Sequence, residues 1–174
     1  MPSNFIPTPD LFATIPFRSS RRVLYFAFGS NLQRSQMVRR CPSAEAVSTA
    51  RLDGYRLAFA GYSVSRGGAG VATVLADPYA WTLGVVYSIT LADLLTLDSY
   101  EGHPHAYRRT PRNVTLLDSD EETTEAFVYI KDDDINLPSE DYAIAILNGY
   151  REHGLDLDPL MEALEEASAF SAYY

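Results

Sequence analysis

Three small residues, Gly29, Ser30 and Asn31, follow a bulky apolar run and give the first sign of chemistry. Residues 23–28 predict a buried strand, and residues 32–40 predict a helix. Gly29 allows a sharp turn, and Ser30 or Asn31 can cap the helix. A strand, turn and helix in this order direct unpaired N–H groups to one point, which suits a carboxylate or an oxyanion. The alternative is a purely structural turn, because small polar residues begin many helices.

A carboxylate that can join this chemistry is Glu101, in the sequence Leu-Asp-Ser-Tyr-Glu-Gly at residues 97–102. Residues 90–99 predict a helix with Thr90 as its cap and Asp93 as the acid of a capping box, so Glu101 follows just past the helix end. An ordinary glutamate, with a pKa of about 4.3, is a weak base, but apolar neighbours in an enclosed site raise its pKa. The alternative is a surface glutamate at a helix end.

Together, the Tyr-Phe-Ala-Phe-Gly-Ser-Asn-Leu run at residues 25–32 and the Glu101 segment resemble the gamma-glutamylcyclotransferase family. The likeness extends to Gly-Gly-Ala-Gly-Val-Ala-Thr-Val at residues 67–74, Trp-Thr-Leu-Gly-Val-Val-Tyr at 81–87 and Pro-Ser-Glu-Asp-Tyr at 138–142. Each motif alone is weak, but all of them occur in the right order. The resemblance covers residues 23–157, which is most of the chain.

The resemblance implies an enzyme without a cofactor, in which the substrate's own α-amine attacks its γ-glutamyl carbonyl. The products are 5-oxoproline and a free amino acid or amine, within glutathione metabolism. The resemblance implies Glu101 as the catalytic residue. It implies a substrate site formed by Tyr25, Phe26, Ala27, Phe28, Gly29, Ser30, Asn31 and Tyr142. It also admits a homodimer, because the family includes homodimers.

The sequence does not decide the roles of two residues of the implied site, Phe28 and Tyr142. The commoner family pattern has tyrosine at position 28, so Phe28 lacks a hydroxyl, and this bears on substrate preference. Tyr142 is in line with Ile146 and Tyr150 at helical spacing and can equally be a core aromatic.

Other functions also stay open on the sequence. One is the same reaction on a γ-glutamylamine or on the γ-glutamyl side chain of a natural product. Another is a non-catalytic small-ligand-binding module on this fold, which the presence of Glu101 disfavours. The glutathione-specific branch of the family is less similar, because its loop reads Tyr-Gly-Ser-Leu where this chain has Asn31.

The elements that must position these residues predict an α+β fold with a curved mixed sheet. Strands are predicted at residues 51–62, 71–75, 83–89, 107–117 and 125–130, and further helices at 139–153 and 158–169. The resemblance implies a small, partly closed β-barrel flanked by helices, with the ligand at its mouth. Residues 1–20 are proline-rich and predict an N-terminal arm, and residues 21–174 predict a single domain.

Composition narrows the classes of partner and location. The 174 residues carry a formal net charge of −9, which disfavours nucleic acid and anionic membranes as partners. No apolar run approaches the roughly 20 residues of a transmembrane helix, and prolines interrupt the start of the chain, so we expect a cytoplasmic protein. Cys41 is the sole cysteine, which excludes an internal disulfide. His103 and His105 lack a convincing third ligand, so we expect no metal site.

Overall fold

The computed structural model describes residues 21–118 and 120–172, and the arm predicted over residues 1–20 lies outside them. The described residues form β1 (Arg22–Ala27), α1 (Arg34–Arg40), β2 (Glu45–Ser63), β3 (Ala69–Thr90), α2 (Leu91–Glu101), β4 (Arg108–Leu116), β5 (Thr123–Ile130), α3 (Glu140–Glu152) and α4 (Asp158–Ser171). A 3-10 turn, Ser30–Leu32, lies between β1 and α1, and another, Val64–Arg66, lies between β2 and β3. None of these helices is both long enough and apolar enough to cross a membrane.

The strands of the described residues close into a barrel in the order β1-β3-β2-β4-β5. β1 pairs antiparallel with β3, from Arg22↔Thr90 to Ala27↔Val85, and it meets β5 in parallel at Tyr25↔Phe127. That parallel contact makes the sheet mixed and closes the barrel beside Tyr25. The predicted α+β class, with a small mixed barrel flanked by helices, is confirmed.

The long strand β3 joins two segments that the sequence predicts as separate strands, at residues 71–75 and 83–89. The pairing with β2 passes from Asp53↔Trp81 to Tyr55↔Ala76, so residues 77–80 fall outside the ladder. Asp77 and Pro78 therefore mark an irregularity within one strand, because both flanking segments pair with the same partner strand.

Helix α2 begins as predicted, because the Thr90 hydroxyl accepts a hydrogen bond from the Asp93 N–H at 3.2 Å. The Asp93 carboxylate does not complete the capping box. It instead accepts hydrogen bonds from Ser43, whose N–H lies 3.1 Å away. The helix extends to Glu101 and ends at Gly102, whose φ of 64° is the left-handed conformation that favours glycine. Glu101 is thus the last helical residue rather than one beyond the end.

Helix α3 packs one face against the core and supports the first 3-10 turn. Tyr142, Ile146 and Tyr150 are buried at helical spacing on that face. A Cβ atom at Gly149 would lie 2.4 Å from the Leu32 Cβ, so the absence of a side chain allows the helix to approach the turn closely. The position of residues 30–32 is therefore fixed partly by α3.

Candidate active site

A cavity of about 300 Å³ opens where β1 ends. Its wall includes seven of the nine residues that the sequence predicts for the site: Tyr25, Phe28, Gly29, Ser30, Asn31, Glu101 and Tyr142. These residues come from β1, the turn after it, the end of α2 and the start of α3. The fold therefore brings together residues that are up to 117 positions apart in the sequence.

The other two predicted binding residues, Phe26 and Ala27, do not line the cavity. Both are fully buried within β1, which pairs with β3, and the Phe26 ring packs against the Phe28 ring with 6.2 Å between centroids. Their prediction as substrate contacts is corrected here, because both side chains belong to the hydrophobic core.

The turn in the cavity wall carries backbone hydrogen-bond donors that the described residues do not use. Ser30–Leu32 forms a 3-10 turn, and Gln33 is extended, with a ψ of 116°, so the predicted helix over residues 32–40 is interrupted before α1. Within the described part of the chain, the N–H groups of Gly29, Ser30 and Asn31 have no acceptor. A Cβ at Gly29 would lie 3.2 Å from the Ala72 Cβ, so glycine is favoured there by space and not by φ, which is −105°.

Side chains of α1 hold the turn, and neither Ser30 nor Asn31 acts as the predicted helix cap. The Gln36 amide donates to the Ser30 hydroxyl at 2.7 Å and to the Asn31 side-chain oxygen at 3.0 Å. Arg40 donates to the same Asn31 oxygen at 2.9 Å. These bonds fix the Asn31 amide, whose nitrogen is then directed at the opposite wall.

Glu101 lies directly across from Asn31. Its Oε1 is 3.4 Å from the Asn31 amide nitrogen and 3.7 Å from the Arg40 Nη1. Burial raises the pKa of Glu101, while the positive charge of Arg40 and the hydrogen bond from Asn31 act in the opposite direction. The side chain keeps 18% of its surface accessible, so the carboxylate is recessed but open to the cavity.

Two tyrosines complete the predicted part of the wall. Tyr25 is buried, and its hydroxyl accepts a hydrogen bond from the Asn31 amide at 2.9 Å. The Tyr142 hydroxyl accepts from the Ala72 N–H at 3.2 Å, and its ring packs edge-on against Phe59. Tyr142 is therefore both a core aromatic and part of the cavity wall, and its contact with substrate stays a prediction.

The cavity wall also contains residues that the sequence did not predict, among them Arg40, Arg66 and Tyr107. Arg40 lies nine positions after Asn31, at the end of α1, and its only signal was a short basic pair with Arg39. Tyr107 donates its hydroxyl to the Ala72 carbonyl at 2.8 Å. Arg66 lies in a glycine-rich connection that carries no periodic pattern, so nothing in the sequence directed attention to it.

The sole cysteine, Cys41, and the histidine His103 have structural surroundings. Cys41 is buried, and burial raises the pKa of its thiol to about 12. The His103 Nδ1 accepts a hydrogen bond from the Arg109 N–H at 3.1 Å. Residues 21–118 and 120–172 contain no group of three or more His, Cys, Asp or Glu side chains arranged to hold a metal ion.

The arrangement can carry out acid–base chemistry on a small molecule. A recessed carboxylate with a raised pKa can accept a proton from an ammonium and return it to a leaving group. Open N–H groups of a turn can stabilise an oxyanion that develops a few ångströms away.

Comparison with known proteins assigns the chain to a family. The sequence profile described as "Gamma-glutamyl cyclotransferase, AIG2-like" matches residues 25–146. The chain belongs to this family. It is 32% identical to Gamma-glutamylcyclotransferase of Bos taurus over 139 residues, which cover 78% of this chain and 73% of the relative. The Homo sapiens protein of the same name is 31% identical over the same shares of both chains.

A solved structure named "Gamma-glutamyl cyclotransferase" superposes with a TM-score of 0.72 at 28% identity, and the match covers 82% of this chain and 86% of that one. The gamma-glutamylcyclotransferase match over residues 25–146 includes the turn, Glu101 and Tyr142, whereas α4 lies beyond it. The whole candidate site thus falls inside the part of the chain that defines the family.

Proposed function

We propose that this protein converts a γ-glutamyl compound into 5-oxoproline and a free amino acid or amine, with Glu101 as its general base and acid. Membership of the family supports the reaction class. The observation that carries the proposal is the 3.4 Å separation between the Glu101 carboxylate and the Asn31 amide. The carboxylate therefore lies close to a turn whose N–H groups have no acceptor among the described residues. One small substrate can contact both the carboxylate and the turn.

The first half of the reaction forms a bond within the substrate. Glu101 accepts a proton from the substrate's α-ammonium, and the freed amine attacks the γ-carbonyl carbon. A five-membered ring forms, and the carbonyl oxygen becomes an oxyanion that the N–H groups of Gly29, Ser30 and Asn31 stabilise. Because the nucleophile is already attached, ring closure benefits from an effective molarity of about 10⁵ M or more when it is well oriented.

The second half breaks the amide bond. The oxyanion collapses to a carbonyl, the bond to the leaving nitrogen breaks, and Glu101 returns its proton to that nitrogen. The ring nitrogen, which still carries two hydrogens and a positive charge, then gives its second proton to the departing amine, which leaves as an ammonium ion. The carboxylate therefore ends the cycle as it began, and no water is consumed. Burial, which raises the pKa of Glu101, matches the carboxylate better to both proton transfers.

Phe28 defines how this chain differs from the commoner family pattern. Its ring lines the cavity and packs against Phe26, but it has no hydroxyl to donate to a substrate. We propose that the reaction type is unaffected, because neither proton transfer uses position 28. A cytoplasmic location, a homodimeric state and the absence of nucleic-acid or membrane partners remain predictions.

The proposal is tested by incubating the purified protein with γ-glutamyl amino acids, γ-glutamylamines and glutathione, and measuring 5-oxoproline. Two compounds serve as controls. N-acetyl-γ-glutamyl-alanine lacks a free nucleophilic amine, and α-glutamyl-alanine has no γ-amide. We expect 5-oxoproline from at least one γ-glutamyl substrate and from neither control. Release from none of the panel would refute the proposal.

A further inference from the structure

Arg66 is a half-buried cation in the wall of the cavity, and the proposed proton transfers do not use it. It ends the 3-10 turn Val64–Arg66, and its guanidinium carbon lies 4.0 Å from the centroid of the Tyr142 ring. In the described ranges 21–118 and 120–172, no carboxylate forms an ion pair with it, and it donates no side-chain hydrogen bond. Its donors are thus available to a ligand.

The other two cations of the cavity wall are already engaged. Arg40 donates to Asn31 at 2.9 Å and lies 3.7 Å from Glu101. Lys131 pairs with Asp133 at 3.1 Å. Glu101 is the one carboxylate of the cavity wall within the described residues, so Arg66 is the cation of that wall that no carboxylate pairs with, in a chain of net charge −9. This local excess of positive charge favours an anionic ligand.

The segment that carries Arg66 is held in place. The Asn136 side-chain amide donates to the carbonyls of Gly61 and Gly68, both at 2.8 Å, and so ties the two ends of the connection together. The contact of the guanidinium with the face of the Tyr142 ring, at 4.0 Å, also holds the Arg66 side chain. A guanidinium fixed in this way is suited to hold a carboxylate through two parallel hydrogen bonds.

We infer that Arg66 binds a carboxylate on the leaving group, so that the enzyme prefers γ-glutamyl amino acids over γ-glutamylamines. This inference rests on the proposed function. The α-amine that reacts at Glu101 shares a carbon with the α-carboxylate, which therefore stays near Glu101 and Arg40. In this proposal the leaving group extends from the γ-carbonyl towards the part of the cavity wall that bears Arg66. Tyr62, near the end of β2 and beside this connection, is 72% exposed, so this part of the wall lies at the cavity opening.

The test compares γ-glutamyl-alanine with γ-glutamyl-alaninamide, which differ only in the leaving-group carboxylate. Charge-assisted hydrogen bonds to a carboxylate predict that the wild-type protein favours γ-glutamyl-alanine by about tenfold to 100-fold in kcat/KM. In Arg66→Gln this preference falls to about onefold to threefold, through a higher KM for γ-glutamyl-alanine. The kcat/KM for the amide stays within about threefold of the wild type. Comparing the ratio between variants cancels the different reactivities of the two leaving amines.

Arg112→Gln is the matched control. Arg112 also stacks on a tyrosine, Tyr55, at 5.6 Å, but it lies outside the cavity wall, so its loss should leave the preference unchanged. Arg66→Lys keeps the charge without the planar fork and should retain an intermediate preference, which decides the matter if Arg66→Gln fails to fold.

Three outcomes would overturn the inference. One is an equal loss on both substrates in Arg66→Gln, which would assign Arg66 to the α-carboxylate. The second is an unchanged preference, and the third is a wild-type protein that does not discriminate between the two substrates. Absence of 5-oxoproline from both substrates in the wild-type protein would instead refute the proposed function itself.

Discussion

The close approach of α3 to the site turn makes Gly149 a sensitive position. A Cβ atom added there lies 2.4 Å from the Leu32 Cβ and 3.1 Å from the Gln33 nitrogen. Carbon atoms in contact prefer about 3.5–4.0 Å, so the overlap is about 1 Å. Neither neighbour is the flexible end of a side chain, and α3 or the turn must therefore move.

The expected effect of Gly149→Ala on stability follows from two opposing contributions. Alanine favours the helix over glycine by about 1 kcal/mol, whereas overpacking costs about 1–3 kcal/mol. Because the overlap involves a Cβ and backbone, we expect the upper part of that range and a net loss of about 1–2 kcal/mol. For a domain of this size, the loss lowers Tm by about 2–8 °C in thermal unfolding followed by circular dichroism.

The same substitution should also lower the rate of the reaction. A shift of about 1 Å in Ser30 or Asn31 lowers kcat/KM for 5-oxoproline release by up to about 10²-fold. Asn148→Ala is the control, since Asn148 is exposed on the same helix and gains helix propensity without a clash. A Gly149→Ala protein that is as stable and as active as Asn148→Ala would refute the packing argument.

Three further predictions concern the core, the electrostatics and the cofactor. Tyr150→Phe should raise Tm, because within the described residues the buried Tyr150 hydroxyl has no hydrogen-bond partner, and its removal relieves about 1 kcal/mol. Arg40→Met should move the acid limb of the kcat/KM profile to higher pH, because Arg40 lowers the pKa of Glu101 and the carboxylate is the active form. Arg40→Lys should move it less. Dialysis against a chelator should leave activity unchanged, because ring closure needs neither a Lewis acid nor an activated water.

Each of these has a contrary result. A lower Tm for Tyr150→Phe would mean that the hydroxyl is satisfied. An acid limb that moves to lower pH in Arg40→Met would contradict the assigned influence of Arg40 on Glu101. Loss of activity on dialysis, with recovery on adding zinc, would revive His103 and His105 as ligands.

Local sequence signals predicted the order of the elements and part of the site. Thr90 marked the start of α2 correctly, because a threonine cap acts over three residues and needs no distant partner. The continuous apolar run at residues 23–28 located β1, and the strands predicted at residues 107–117 and 125–130 located β4 and β5, each to within a few positions. Glu101 was predicted as a site residue because a helix end and a family motif coincide there, and it lines the cavity.

Features that depend on distant contacts were not predictable from these signals. The break at Gln33 lies beside α3, which packs against Leu32 from more than a hundred residues away. Phe26 has the same apolar character as its neighbours, so only the pairing of β1 with β3 shows that its side chain belongs to the core. Arg40 and Arg66 line the same cavity as Glu101 only because the barrel closes, and no local pattern in the sequence indicates this.

Replacing Glu101 with glutamine tests the account on two independent readouts. Burial raises the folded-state pKa of Glu101, so above the unfolded pKa the native state binds more protons than the unfolded state. The stability of the wild-type protein therefore falls as pH rises through the interval between the two values. Glutamine carries no charge, so Glu101→Gln should have a higher Tm than the wild type at neutral pH and equal or lower Tm at acid pH.

The most direct test of the central claim is the rate of 5-oxoproline release by Glu101→Gln under saturating γ-glutamyl substrate. The amide keeps the shape of the side chain and its contact with Asn31, but it cannot accept the ammonium proton. We predict a loss of about 10²- to 10⁴-fold in kcat, with substrate affinity retained within a fewfold in equilibrium binding. A folded Glu101→Gln protein that releases 5-oxoproline at a rate close to that of the wild type would contradict the account.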